Sequence, residues 1–252
     1  MTDRWRVYAN LATLSNAVLG VGAVLYVLAG NKLWAMFLIV CAIGFDGLDG
    51  ILSRRSGAPA SRFGRVADSV ADAVSFGVAP AFLIAVHTVD GPTWQPWEPL
   101  ALALAVAYLA AAVARLTYFT ARAYDRTDFL GVPTPQSALG LVVVLLFLDT
   151  PAFGSVLPVG LLAAVGVLSV MMVVPVRYPK IHRGSPLRGP TAATAAFAAL
   201  ALVPLQFHLA TGSVLYEFAD GASVAFLIGV ASYYLLGPFT VPRERREDLS
   251  SP

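Results

Sequence analysis

The chain has 252 residues, 58% of them hydrophobic and 13% charged, with a mean hydropathy of +0.73. A soluble domain of this length carries about 25% charged residues, so the composition excludes an ordinary soluble globule and points to an integral membrane protein. The formal net charge of +2 is too small to indicate a nucleic-acid partner, and the single cysteine, Cys41, leaves no intrachain disulfide to consider.

Apolar stretches long enough to cross about 30 Å of hydrocarbon recur along the whole chain. They predict an all-α membrane protein of about eight transmembrane helices, over residues 11–30, 33–53, 65–87, 99–121, 136–150, 157–175, 191–210 and 221–240. The fifth is the shortest. Turn signals separate them, among them Gly57-Ala58-Pro59, Pro133-Thr134-Pro135 and Gly184-Ser185-Pro186. Ahead of the first span, Arg4 and Arg6 lead into a long apolar run without the small-residue cleavage site of a secretory signal. No long soluble insert, low-complexity tract or internal repeat interrupts the pattern, so residues 1–252 read as one membrane domain.

Eight crossings put both termini on one side. Every lysine and arginine except Lys32 and Arg115 then falls on that side, while the opposite loops carry Asp90, Glu98, Asp149, Glu217 and Asp220. Positive residues accumulate in cytoplasmic loops, so both termini, including the tail 241–252, are expected in the cytoplasm. Trp34, Trp94 and Trp97 fall near the other face, as interfacial anchors do.

Four aspartates stand out against this apolar background: Asp46 and Asp49 at the cytoplasmic end of the second span, Asp68 and Asp72 at the start of the third. Each acidic side chain costs roughly 2.5–3.5 kcal/mol within a membrane helix, so four of them need cationic compensation. Spacings of three and four place each pair on one face of its helix. Two such faces turned toward each other make an oxygen cage suited to hard divalent cations such as Mg²⁺ or Mn²⁺. Arg115, a basic residue inside the fourth span, is a further candidate by position alone. The histidines, His87, His182 and His208, are scattered without ligand spacing.

The segment from Asp46 to Pro80 reads DGLDGILSRRSGAPASRFGRVADSVADAVSFGVAP. It resembles the signature of the CDP-alcohol phosphotransferase family, D-x2-D-G-x2-A-R-x8-G-x3-D-x3-D, with Asp46, Asp49, Gly50, Arg54, Gly64, Asp68 and Asp72 at the motif positions. Ser53 stands where alanine is usual, and one extra residue separates Arg54 from Gly64, which leaves Arg55 as a possible substitute for Arg54. Within the family, Leu14-Ser15-Asn16, Ser75 to Pro80, Ala114-Arg115-Leu116, Phe129 to Pro135 and Arg177-Tyr178-Pro179-Lys180 are similar to segments of bacterial and archaeal phosphatidylserine synthases. Thr117-Tyr118-Phe119 departs from the Arg-Phe-Asn usual there. The similarity covers about residues 10–182.

The resemblance implies an enzyme of the cell membrane that transfers a phosphatidyl group from CDP-diacylglycerol, or its archaeal counterpart from CDP-archaeol, to L-serine with release of CMP. It implies two divalent cations, Mg²⁺ or Mn²⁺, on Asp46, Asp49, Asp68 and Asp72, with Asp72 shared between ligation and general base, and it implies a homodimer. The CDP-lipid would be held by Gly50, Arg54, Gly64, Ser15 and Asn16. Arg115, Arg177 and Lys180 are the candidates for the acceptor. Other acceptors, glycerol 3-phosphate or an inositol phosphate, fit the same donor chemistry. Intramembrane carboxylates also occur in cation-coupled transporters, but there they lie near the midplane between broken helices.

Overall fold

The computed structural model describes residues 2–55, 61–88, 95–121, 128–148, 157–174 and 177–179. The chain opens with two long apolar helices, α1 (Thr2–Leu28) and α2 (Lys32–Arg55). Their hairpin is built from Gly30 and Asn31. Gly30 has φ +79°, a left-handed conformation that costs glycine little. Its N–H donates to Val27 O at 2.9 Å and that of Asn31 to Tyr26 O at 2.8 Å, which closes α1 as a Schellman motif. The Asn31 side chain then accepts from the Trp34 N–H at 3.2 Å and starts α2.

The third span is composite. Ser61 caps α3 (Arg62–Asp72) by accepting from the Gly64 N–H at 2.9 Å. A six-residue π-helical segment, Ala73–Val78, comes directly after it and leads into α4 (Ala79–Thr88). A π turn inserts a residue into the α-helical register and so rotates the rest of the helix about its axis, a device common at functional sites. Here it seats Ser75, Phe76 and Gly77 in the interior. The segment meets α1 backbone to backbone: a Cβ on Gly20 would lie 2.7 Å from Ser75 Cα. Only a residue without a side chain allows that approach.

Helix α5 (Glu98–Ala121) packs on α4 and the π segment, and α6 (Thr134–Leu148) and α7 (Leu157–Val173) complete the described bundle. Its core is formed by Met36, Ile39, Phe76, Leu83, Tyr108 and Leu141, each fully buried. Val7, Leu14, Val18, Val21 and Leu25 on α1 are exposed, as lipid-facing side chains are.

Among the described residues, four stretches are long and apolar enough to cross a membrane: Arg4–Leu28, Lys32–Arg55, Phe63–Thr88 and Glu98–Tyr118. These are the first four expected spans, and the protein is a multi-pass membrane protein. The fifth and sixth expected spans correspond to the shorter apolar helices Thr134–Leu146 and Val159–Val173. At 1.5 Å per residue, α6 is only about 22 Å long, short of the hydrocarbon thickness. The expected spans 191–210 and 221–240, and the tail 241–252, lie outside the described residues.

Two features depart from the expected pattern. Helix α1 begins at Thr2, well before residue 11, because Trp5, Tyr8 and Arg6 can extend it through the polar interface. The all-helical pattern is also interrupted by a small antiparallel ribbon, β1 (Asp128–Leu130) with β2 (Arg177–Pro179), which pairs Phe129 with Tyr178 and Leu130 with Arg177. After β1, the Val132 N–H donates to Met171 O at 2.9 Å, so this loop docks on the end of α7.

Candidate metal centre

The two aspartate pairs meet between the C-terminal halves of α2 and α3. Asp46, Asp68 and Asp72 each bring a carboxylate oxygen within 4.8 Å of the others. An ion bound at about 2.1 Å holds ligands on its opposite sides about 4.2 Å apart, so small side-chain rotations let the three share one. Asp49 and Asp72 are buried, Asp46 and Asp68 half-buried. Asp68 Oδ1 is buried with no hydrogen-bond partner among the described residues. An orphaned carboxylate oxygen in an all-oxygen cluster is what a hard cation would satisfy. The residues therefore fit Mg²⁺ or Mn²⁺.

Asp49 occupies the rim of the cluster. Its carboxyl meets that of Asp68, and Arg54 lies within attractive range of it. Its Oδ2 also accepts from Thr13 Oγ1 of α1 at 2.7 Å. Three residues along the same helix, Asn16 is completely buried and donates through Nδ2 to Asp72 Oδ1 at 2.9 Å. The site thus has three walls, α1, α2 and α3. Ser15 is turned differently: its hydroxyl donates to Leu11 O of its own helix at 2.9 Å.

The two adjacent arginines at the end of α2 have different surroundings. A Cβ on Gly50 would lie 3.4 Å from a terminal nitrogen of Arg54, so that guanidinium lies over the glycine beside the cluster. Arg55 is instead drawn to the N-terminal part of α1, its guanidinium carbon 5.8 Å from the centroid of the Trp5 ring. Gly64 lies in the first turn of α3, where a Cβ would lie 3.2 Å from Ser61 Oγ.

Among the described residues Arg115 is the one buried arginine, 8% exposed, so it does not snorkel out to water. Its NH1 donates to Thr134 Oγ1 at 3.1 Å, joining α5 to the start of α6. Gly77 of the π segment packs against Leu109 and Ala112 of α5. Consecutive spans run in opposite directions, so one turn beyond Ala112 brings Arg115 to about the level of Ala73 and Asp72. Arg177 lies on β2, in register with Leu130 of β1. Lys180 lies outside the described residues.

Sequence reasoning did not find Thr13, Ser75 or Thr134 as members of this neighbourhood. Thr13 lies three residues before Asn16 and so on its face. Its hydroxyl also donates to Ala9 O at 3.3 Å, the ordinary habit of a helical threonine, so nothing local marked it out.

A family model, CDP-alcohol phosphatidyltransferase, matches residues 6–228. The chain belongs to that family. This enzyme, a transferase of a metal-dependent family, also has curated relatives of similar length. It is 33% identical over 180 residues to a CDP-diacylglycerol–serine O-phosphatidyltransferase of Helicobacter pylori, covering 70% of this chain and 73% of that one. To one of the same name from Methanocaldococcus jannaschii it is 31% identical over 173 residues, 68% of this chain and 73% of the other. An archaetidylserine synthase of Methanothermobacter thermautotrophicus is 29% identical over 173 residues, 68% of this chain and 69% of that protein.

Proposed function

We propose that the enzyme transfers the phosphatidyl group of CDP-diacylglycerol, or the archaetidyl group of CDP-archaeol, to the hydroxyl of L-serine and releases CMP. The observation that carries this reading is the convergence of Asp46, Asp68 and Asp72 on one point, in a chain whose relatives bear the names of serine transferases. Asp46, Asp49, Asp68 and Asp72 hold two divalent ions, Mg²⁺ or Mn²⁺. When bound, these supply charge neutralisation for the diphosphate and polarise the reacting phosphoryl group.

The protein's own groups do the rest. Arg54 forks onto diphosphate oxygens, and the missing side chains of Gly50 and Gly64 let the nucleotide approach. The serine hydroxyl oxygen attacks the lipid-bearing phosphorus and its proton passes to Asp72. The bond from that phosphorus to the oxygen shared with CMP breaks, and CMP departs with the electron pair. Arg115, held by Thr134, takes the serine carboxylate, with Arg177 and Lys180 adding positive potential around the loop. Among the described residues Arg115 is the one buried arginine, whereas a phosphorylated acceptor would call for a denser set of buried cations. The same reading places residues 1–252 in the cytoplasmic membrane as one domain and a homodimer, with the termini and the site facing the cytoplasm, in keeping with the arginine distribution.

Purified protein given CDP-diacylglycerol and Mn²⁺ is expected to release CMP only when L-serine is added. Release that ignores serine but tracks glycerol 3-phosphate or an inositol phosphate would reassign the acceptor. With Arg115→Met, the KM for serine is expected to rise about 10- to 100-fold, the span of a lost charged hydrogen bond, while that for the CDP-lipid stays within a few fold. An unchanged serine KM removes Arg115 from the acceptor site.

A further inference from the structure

We propose that α1 is the positioning element of the metal centre, with Asn16 fixing the Asp72 carboxylate and Thr13 the Asp49 carboxylate. This rests on the proposed function of the aspartates as metal ligands. Carboxylates crowded into one cluster repel one another, and their terminal torsions are broad, so each is free to swing outward. A neutral donor that takes one oxygen stops the swing and leaves the second oxygen for an ion, the role partners of ligating side chains commonly fill. Asn16 Nδ2 to Asp72 Oδ1 at 2.9 Å and Thr13 Oγ1 to Asp49 Oδ2 at 2.7 Å are two such bonds, made from one face of one helix to ligands on two others.

The helix carrying them is itself fastened. Ser75 Oγ of the π segment donates to the backbone oxygen of Asn16 at 2.8 Å, and the missing side chain of Gly20 lets that segment touch α1 one turn later. The π turn thereby has a physical purpose: it begins immediately after Asp72 and brings Ser75 round to the residue that holds Asp72. Asn16 is 0% exposed, and its Oδ1 has no partner among the described residues. Once the amide donates to Asp72, that oxygen is left to accept a hydrogen bond from a water of the occupied site. Asn16 is thus a positioning residue rather than a direct contact for the CDP-lipid.

Mn²⁺ binding to the full-length protein in detergent, measured by electron paramagnetic resonance titration with no lipid or nucleotide present, tests this without turnover. Asn16→Leu and Thr13→Val are each expected to weaken Mn²⁺ binding about 10- to 100-fold. Thr13→Ser, which keeps the hydroxyl, is expected to stay within about threefold of wild type. Wild-type affinity in Asn16→Leu or in Thr13→Val overturns the role given to that residue, and a raised KM for CDP-lipid alone would make Asn16 a nucleotide contact instead. If Asn16→Leu does not fold, the Thr13→Val and Thr13→Ser pair decides. Failure of the wild-type protein to bind Mn²⁺ would instead remove the metal-ligand reading itself.

Discussion

Asp68→Asn is expected to lower metal-dependent CMP release by at least about 10³-fold, because one substitution removes both a ligand charge and a ligand oxygen from the centre. The variant is nearly isosteric, so the fold has little reason to change. It also relieves repulsion among the crowded carboxylates, of which Asp49 has the Arg54 guanidinium within attractive range. Without metal, its melting temperature in detergent is therefore expected to equal or exceed that of the wild type. Loss of activity with no loss of metal-free stability is the signature of a group retained for chemistry at the expense of stability. Added Mn²⁺ stabilises the wild type by mass action and should do so far less in the variant. An Asp68→Asn enzyme within about fivefold of wild-type activity would mean that Asp68 is not a ligand.

The two neighbouring arginines should separate as sharply. Arg54→Ala is expected to cut kcat/KM for the CDP-lipid about 100-fold, the scale of a charge-assisted fork onto phosphate oxygens. Arg54→Lys should recover only part of it, since a point charge does not reproduce a planar fork. Arg55→Ala should stay within about threefold: its guanidinium is engaged over Trp5 at 5.8 Å, a contact of roughly 0.5–1 kcal/mol at an exposed site. Initial rates of CMP release against CDP-lipid concentration measure all three. A greater loss in Arg55→Ala than in Arg54→Ala would transfer the phosphate role to Arg55.

The extra residue between Arg54 and Gly64 left that choice open in the sequence, and the helix geometry bears on it directly. Residues four apart share a face, so Arg54 falls over Gly50, whereas Arg55 is turned about 100° away. The long spans were equally legible, because length and apolarity decide them. So were the aspartate pairs, whose spacing is a local property of each helix. What could not be read were the contacts between helices. Nothing in Ala73–Val78 announces a π turn, and nothing in Thr13 or Asn16 says which aspartate each will meet, since those partners are 36 and 56 residues away. The β1–β2 ribbon was hidden for the same reason: two three-residue strands lie far apart in sequence, and neither is long enough to carry an alternating pattern.

Manganese anomalous scattering from crystals of the protein grown with Mn²⁺ and a CDP-lipid tests the central claim most directly. The account predicts anomalous peaks bounded by Asp46, Asp49, Asp68 and Asp72, with the lipid diphosphate on the side of Arg54. A bound CDP-lipid with no peak between those four carboxylates, or with manganese held elsewhere, would contradict it.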